Sequence, residues 1–180
     1  PTEPLFLVRN KPRPALPKPD ILETLPDQVL QRATALAARL FTAPIAIVSI
    51  VDRDRLWLKS YYGQEVEEIA RQVDVAASIA PLDQPLVIED GRLDPRARDS
   101  SLVNGPLGLR FYVGVPLKRA SGRTIGTLSV LGFVPGTASD ADIANLEDLA
   151  ALIVAQLEMR QHGLRTTAEN VDTVALTVES

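Results

Sequence analysis

Three groups of residues in this chain are of types that could do chemistry. The first is the crowd Asp90, Asp94, Arg96, Arg98 and Asp99. Paired carboxylates suit general acid and base work or a hard cation. The arginines between them argue otherwise, because alternating signs at this spacing describe a solvated loop with local ion pairs. If any of these charges meets a ligand, the choice is Asp94 and Arg96, on either side of Pro95. The second group is Arg110 and Tyr112 in the alternating stretch RFYVGVPLK. On a strand they share a face with Gly114 and Pro116, and offer a fork for an anion and a ring with a hydroxyl. The alternative is a surface arginine and a packing tyrosine. Leu109, Phe111, Val113 and Val115 face the other way, as core beneath helices. The third is His162 in RQHGLRTTAEN. Its surroundings lack the acidic residue and proline of the commonest phosphoacceptor box, and Gly163 weakens a helix there. No glycine-rich nucleotide-binding region follows, so kinase chemistry in this chain is excluded and His162 reads as an exposed linker residue.

Composition narrows the chemistry further. The 180 residues contain no cysteine and one histidine. Disulfides, thiolate nucleophiles, thioether-linked cofactors and a histidine-built metal site are therefore excluded, and no metal is expected. The net charge of −4 gives no general attraction to phosphate backbones or anionic lipid, so nucleic-acid and membrane partners are not expected. No apolar run approaches the roughly 20 residues of a membrane span, and the N-terminus has prolines and charges where a signal peptide needs an apolar region. The expected location is cytoplasmic.

The elements that must position these groups can be read from periodicity. Six prolines in residues 1–20 predict an extended tail. Thr24, Pro26 and Asp27 resemble a helix start, and Val29, Ala33, Leu36 and Leu40 form a stripe with Leu30, Ala37 and Phe41 beside it, predicting an amphipathic helix packed on a sheet. PIAIVSIVD and LWLKSYYG read as a hairpin about the turn DRD, with Trp57 between Leu56 and Leu58. EVEEIARQVDVAASIA has mixed helical character. PLVIED is a short third strand, and RFYVGVPLK and TIGTLSVLGF are two more, joined by the turn RASGR. Trp57 and Ser129, the latter on a mostly apolar strand, could line a cavity; an anchoring Trp and a backbone-bonded Ser are the alternatives. Ser139 and Asp142 cap a last helix. On it Ile143, Leu146, Ala150, Ile153 and Leu157 follow spacings of three and four, with Leu149, Leu152 and Gln156 as a second stripe. Tight turns between consecutive strands favour an antiparallel sheet, so the class is α+β.

The segments LAARLFTAPIAIVSIVDRDRLWLKS, PLVIEDGRLDPRARDSSLVNGPLGLRFYVGVPL and GRTIGTLSVLG, running into ALIVAQLEMR, resemble a GAF domain over residues 25 to 160. The resemblance implies a GAF/PAS-like central antiparallel sheet of five or six strands, with terminal helices on one face and a ligand pocket under loops on the other. It also implies that Gly91 to Gly108 roof the pocket, where glycines let the backbone approach closely. The corresponding organisation is a proline-rich tail at 1–20, a GAF domain at 21–162 and a linker or start of a signalling helix at 163–180.

The chain also departs from the pattern. Many relatives carry a cysteine and a histidine before the third strand, where this chain has Ala76 and Ser78. Reduction of free methionine sulfoxide by cysteine and covalent attachment of a tetrapyrrole are therefore excluded, haem ligation would have to use a residue other than a pocket histidine, and the polar signature of cyclic-nucleotide binders is not seen. The expected function is a non-catalytic, small-molecule-sensing regulatory module of a bacterial signalling protein, for example a two-component system. Its expected ligand contacts are Arg110, Tyr112, Asp94, Arg96, Ser78, Trp57 and Ser129, and the ligand or cofactor is unspecified. A homodimer through the terminal helices is expected, with Ile143, Leu146, Ala150, Ile153 and Leu157 at the interface. The alternative is a degenerate fold that only dimerises or docks proteins.

Overall fold

A computed structural model of the chain describes residues 27–52, 55–63 and 82–178, with residues 52, 55–57 and 164–178 described by backbone alone. Helix α1 (Gln28–Leu40) leads into strands β1 (Ile45–Asp52), β2 (Arg55–Tyr62) and β3 (Leu86–Ile88). Then come the short helix α2 (Ser101–Asn104), strands β4 (Phe111–Lys118) and β5 (Thr124–Gly132), and the long helix α3 (Asp140–Val178). The five strands form one sheet in the order β2-β1-β5-β4-β3, antiparallel at every pairing. The tail at 1–20, Ala76, Ser78 and the helical reading of EVEEIARQVDVAASIA lie outside the described residues.

Alternation along the strands sorts the core into two layers. Ala46, Val48, Phe111, Val113, Val115, Leu117, Leu128 and Val130 meet the helices. Ile45, Ile47, Leu86, Ile88, Tyr112 and Leu131 look the other way, toward the loop that follows β3. Leu109 joins this second layer, against the expectation that it sits with Phe111 beneath the helices. The physical reason is that β4 begins only at Phe111, so the period of two does not reach back to Leu109. Gly126 allows β1 and β5 to lie edge to edge, since a Cβ there would run into the Ser49 carbonyl.

Asp27 caps α1: its Oδ1 accepts from the Val29 and Leu30 amides at 2.9 and 3.2 Å. The sheet-facing stripe of α1 is Leu30, Thr34, Ala37 and Ala38. Thr34 donates its hydroxyl to the Leu30 carbonyl at 2.7 Å and shares a 2.8 Å hydroxyl–hydroxyl hydrogen bond with Ser60 on β2. The helix packs on the sheet as expected, through Leu30 and Ala37 with Ala33 and Phe41 beside them, but Val29, Leu36 and Leu40 of the first stripe are 51%, 39% and 43% exposed. Alanines at 37 and 38 let the helix axis approach the strands, and rotation by about one residue carries the longer side chains outward.

On α3 the Ser139 and Asp142 pair forms a reciprocal cap, with the Asp142 amide bonded to Ser139 Oγ at 3.1 Å and the Ser139 amide to Asp142 Oδ2 at 2.8 Å. Leu146, Ala150 and Ile153 are buried against the sheet, and Ile143 and Leu157 pack on the same layer. The stripe expected at a dimer interface is therefore used inside the protomer, because apolarity marks what must be covered and here the sheet covers it. The outer face of α3 leaves Leu152 and Met159 exposed at 64% and 68%. The helix continues through Gly163 to Val178, and His162 is exposed on it.

Candidate functional site

The expected roof is present between Gly91 and Gly108, and it is built from short side-chain-to-backbone ties. Two consecutive Asp-x-Arg turns open it. Asp90 Oδ1 accepts from the Arg92 amide and Nε, both at 3.1 Å, and Oδ2 from Nη2 at 2.8 Å. Asp94 repeats the arrangement with Arg96, whose Nη2 also donates to the Val87 carbonyl at 2.9 Å and so ties the turn to β3. The hydrogen-bonding arginine in each turn holds its carboxyl below the usual carboxylate range. The arginines remain 54% and 45% exposed while their carboxylates are largely covered, so Asp94 and Arg96 form a loop ion pair at the roof's surface. Among the described residues no group of three or more His, Cys, Asp or Glu is placed to hold a metal ion.

Arg110 closes the other end of the roof. Its Nη1 donates to the Val103 and Leu109 carbonyls at 3.0 and 2.9 Å, while the Leu109 amide bonds to Leu102 and the Gly91 amide to Arg110. One nitrogen of the fork, Nη1, is thus committed to loop carbonyls. Beneath it Ala97, Leu102, Val103 and Leu109 pack on Ile88 and Tyr112. The space left there is a crevice of about 10 Å³, room for about one water molecule.

Farther along the same sheet face the lining changes from apolar to hydroxylic. The pairings place Tyr112, Leu131 and Ile45 in one row, Gly114, Ser129 and Ile47 in the next, and Pro116, Thr127 and Ser49 in the third. The Tyr112 ring lies over Gly114, where a Cβ would collide with the phenol. Ser49, Thr127 and Ser129 are fully buried. Among the described residues Ser49 reaches the Thr127 carbonyl alone, at 3.4 Å, and the hydroxyls of Thr127 and Ser129 have no hydrogen-bond partner. Burial pushes the Tyr112 phenol well above its ordinary value, and the nearby Ser129 hydroxyl offsets part of that push. The two groups feel each other, but their contact falls short of hydrogen-bond geometry, so Ser129 Oγ keeps its bonding capacity.

Of the residues expected to contact a ligand, the fold thus brings Tyr112 and Ser129 together and places Arg110 at the roof's edge. Asp94 and Arg96 are on its outside. Trp57 is placed by backbone opposite Ile50, with its side chain outside the described residues, as is Ser78 altogether. Thr127 and Ser49 were missed by sequence reasoning. The available signal was parity: Thr127 and Ser129 are two apart on an otherwise apolar strand.

Comparison with known proteins agrees with this architecture. A profile of the GAF domain matches residues 25–157. A cyclic di-GMP phosphodiesterase of Pseudomonas aeruginosa is 34% identical over 148 residues, covering 82% of this chain, which spans only 24% of that protein. Among solved structures, GAF3 of Slr1393 from Synechocystis superposes with a TM-score of 0.63 at 13% identity, covering 77% of this chain and 96% of that one. A free methionine-R-sulfoxide reductase from Neisseria meningitidis superposes at 0.54 with 18% identity, covering 79% and 85%. Among the described residues no helix is long and apolar enough to cross a membrane. With the antiparallel sheet, the two helices on one face, the roof on the other and the matching profile, this chain belongs to the GAF domain family, a family of sensory and regulatory modules.

Proposed function

We propose that this GAF domain senses a small polar molecule and is itself non-catalytic, the ligand lying on the hydroxyl-bearing part of the sheet rather than under Gly91–Gly108. The observation that carries this reading is the pair of fully buried, unpartnered hydroxyls of Thr127 and Ser129. Such groups each cost about 1–3 kcal/mol when left unmade, and a fold tolerates that where a partner arrives from outside. Hydroxyls donate and accept, and among the described residues no charged side chain stands in these rows, so the matching ligand is neutral or carries its charge away from them. The partial span of the phosphodiesterase relative supports a role as the regulatory part of a larger bacterial signalling chain.

The partner for the helical face is a second copy. Val29, Leu36 and Leu40 on α1 and Leu152 and Met159 on α3 are exposed apolar residues. Arg32 and Arg39 stand exposed on α1, and Glu147 and Asp148 on α3, so α1 of one protomer attracts α3 of the other.

A thermal-shift screen of small polar metabolites tests the sensing role. A ligand at 100 times its Kd adds about 2.7 kcal/mol. That gain should be lost in Thr127→Val and Ser129→Ala and kept in Arg96→Gln. A ligand whose effect survives both hydroxyl substitutions refutes the placement. The packed roof favours the second reading, a module that only dimerises or docks proteins, and that reading predicts no hit.

A further inference from the structure

The last two turns of α3 that touch the domain are gripped from two sides by polar groups. On one side stands Asp27. Its Oδ1 is committed to the cap of α1, while Oδ2 meets Arg160 Nη1 at 3.3 Å and Gln156 Nε2 at 3.4 Å, with the carboxyl side chain only 7% exposed. On the other side stands Arg119, at the end of the β4–β5 hairpin, where its own amide closes the turn on the Arg123 carbonyl. Its Nη2 donates to Gln161 Oε1 at 2.9 Å, while its Nε lies 3.9 Å from Glu158 Oε1 and has no hydrogen-bond partner despite being buried.

At 100° per residue, Gln156 and Arg160 lie about 150° around the helix from Glu158 and Gln161. The two grips therefore pull on nearly opposite faces of the same two turns. Each is only partly made: the contacts to Asp27 are long, and although Arg119 Nη2 is bonded to Gln161, its Nε lies well beyond hydrogen-bond range of the Glu158 carboxylate. A lean of α3 toward the hairpin would complete the Arg119–Glu158 bond and stretch both contacts to Asp27. A lean the other way does the reverse. Among the described residues Leu157 is the last apolar residue of α3 packed on the core, so these polar groups hold the helix where it leaves the domain.

We infer that Asp27, Arg119 and their four partners on α3 form a two-position latch that sets the angle at which the helix departs. In this structure the two sets share the helix, with the contacts to Asp27 long and the Arg119–Glu158 bond unmade, so a tilt that completes one set lengthens the other. The latch also joins three parts of the chain: the segment entering α1, the β4–β5 hairpin and the departing helix. The inference needs no ligand and stands independently of the sensing role.

Distance measurement between spin labels tests it. The chain has no cysteine, so labels at Asp83→Cys and Thr173→Cys are the only ones. Thr173 lies 12 residues past Gln161, about 18 Å along the helix, so a 10° lean moves it about 3 Å. Labelled protein is diluted with unlabelled chain to suppress distances between copies. Asp27→Asn, which keeps a capping oxygen, and Arg160→Gln, which leaves the cap untouched, should move the distance distribution one way. Glu158→Gln and Arg119→Gln should move it the other way. Melting curves confirm that each variant is folded. Four distributions like the parent's, or shifts in one common direction, would overturn the latch.

Discussion

Thr127 and Thr34 are buried threonines that the structure treats in opposite ways, and that contrast yields a test of the whole site. Both are 0% exposed. Thr34 has its hydroxyl bonded to the Leu30 carbonyl and to Ser60, whereas the Thr127 hydroxyl has no partner. Threonine to valine replaces a hydroxyl by a methyl of similar shape, so the sign of the change reports whether the hydroxyl was satisfied. Thr127→Val relieves an unmade bond and should stabilise the ligand-free chain by about 1–3 kcal/mol. Thr34→Val removes two bonds and leaves Ser60 short of one, which should cost about 1–2 kcal/mol. The two variants should therefore lie about 2–5 kcal/mol apart, on the order of 10 °C in Tm for a chain of this size. Urea denaturation followed by circular dichroism measures both. If Thr127→Val destabilises the chain as Thr34→Val does, the hydroxyl is satisfied and the case for a ligand at these rows falls.

Other consequences are more local. Gly126→Ala pushes a Cβ into the Ser49 carbonyl and should cost at least about 1–3 kcal/mol by denaturation, whereas Gly132→Ala, whose Cβ would meet only ordinary contacts, should cost less. The lowered pKa of Asp94 makes its contribution to stability complete above its unfolded value near 3.8 and lost as pH falls through the lower folded value. Asp94→Asn should then flatten the acid limb of a Tm-against-pH profile, and an unchanged limb would mean that the Arg96 contact contributes nothing. For the proposed contact with a second copy, Leu36→Asp and Leu152→Asp on the outer helical face should lower the mass measured by light scattering with little loss of stability, and an unchanged mass would refute that contact. Leu146→Ala and Ile153→Ala should each cost about 2–5 kcal/mol by denaturation, since both side chains are buried within the protomer.

What the sequence made legible follows the physics of each signal. Hairpins, the Ser139–Asp142 cap and, from Phe111 onward, the two faces of β4 are local patterns, and the chain forms them where expected. The helix faces were harder, because Val29, Leu36 and Leu40 and the buried Leu30, Ala37 and Ala38 are both plausible stripes at a period of 3.6. How closely the helix can lie on β1 and β2 decides between them, and that depends on residues far away in sequence. On α3 the strongest stripe is strong because the sheet buries it, so reading it as an interface mistook core for contact. Arg110 shows a similar gap: its chemistry suits an anion, and nothing local in the sequence tells that its Nη1 also ties two loop carbonyls.

The hydroxyl rows and the latch on α3 are parts of the same two strands. Tyr112 sits on β4 and Thr127 and Ser129 on β5, and the strands end in the hairpin that carries Arg119. A molecule drawn to Ser129 would press on the Tyr112 ring, which lies over the neighbouring Gly114, and packed strands pass such a shift along their length rather than absorbing it. The shift would reach the hairpin about where Arg119 Nε lies a small step from Glu158. Proximity alone is not coupling; coupling requires the ligand to bind one helix position more tightly than the other. The spin-label distances make that measurable: a ligand that stabilises the chain should also shift the Asp83–Thr173 distribution toward that of one set of latch variants. If it stabilises the chain and leaves the distribution unchanged, site and latch are independent.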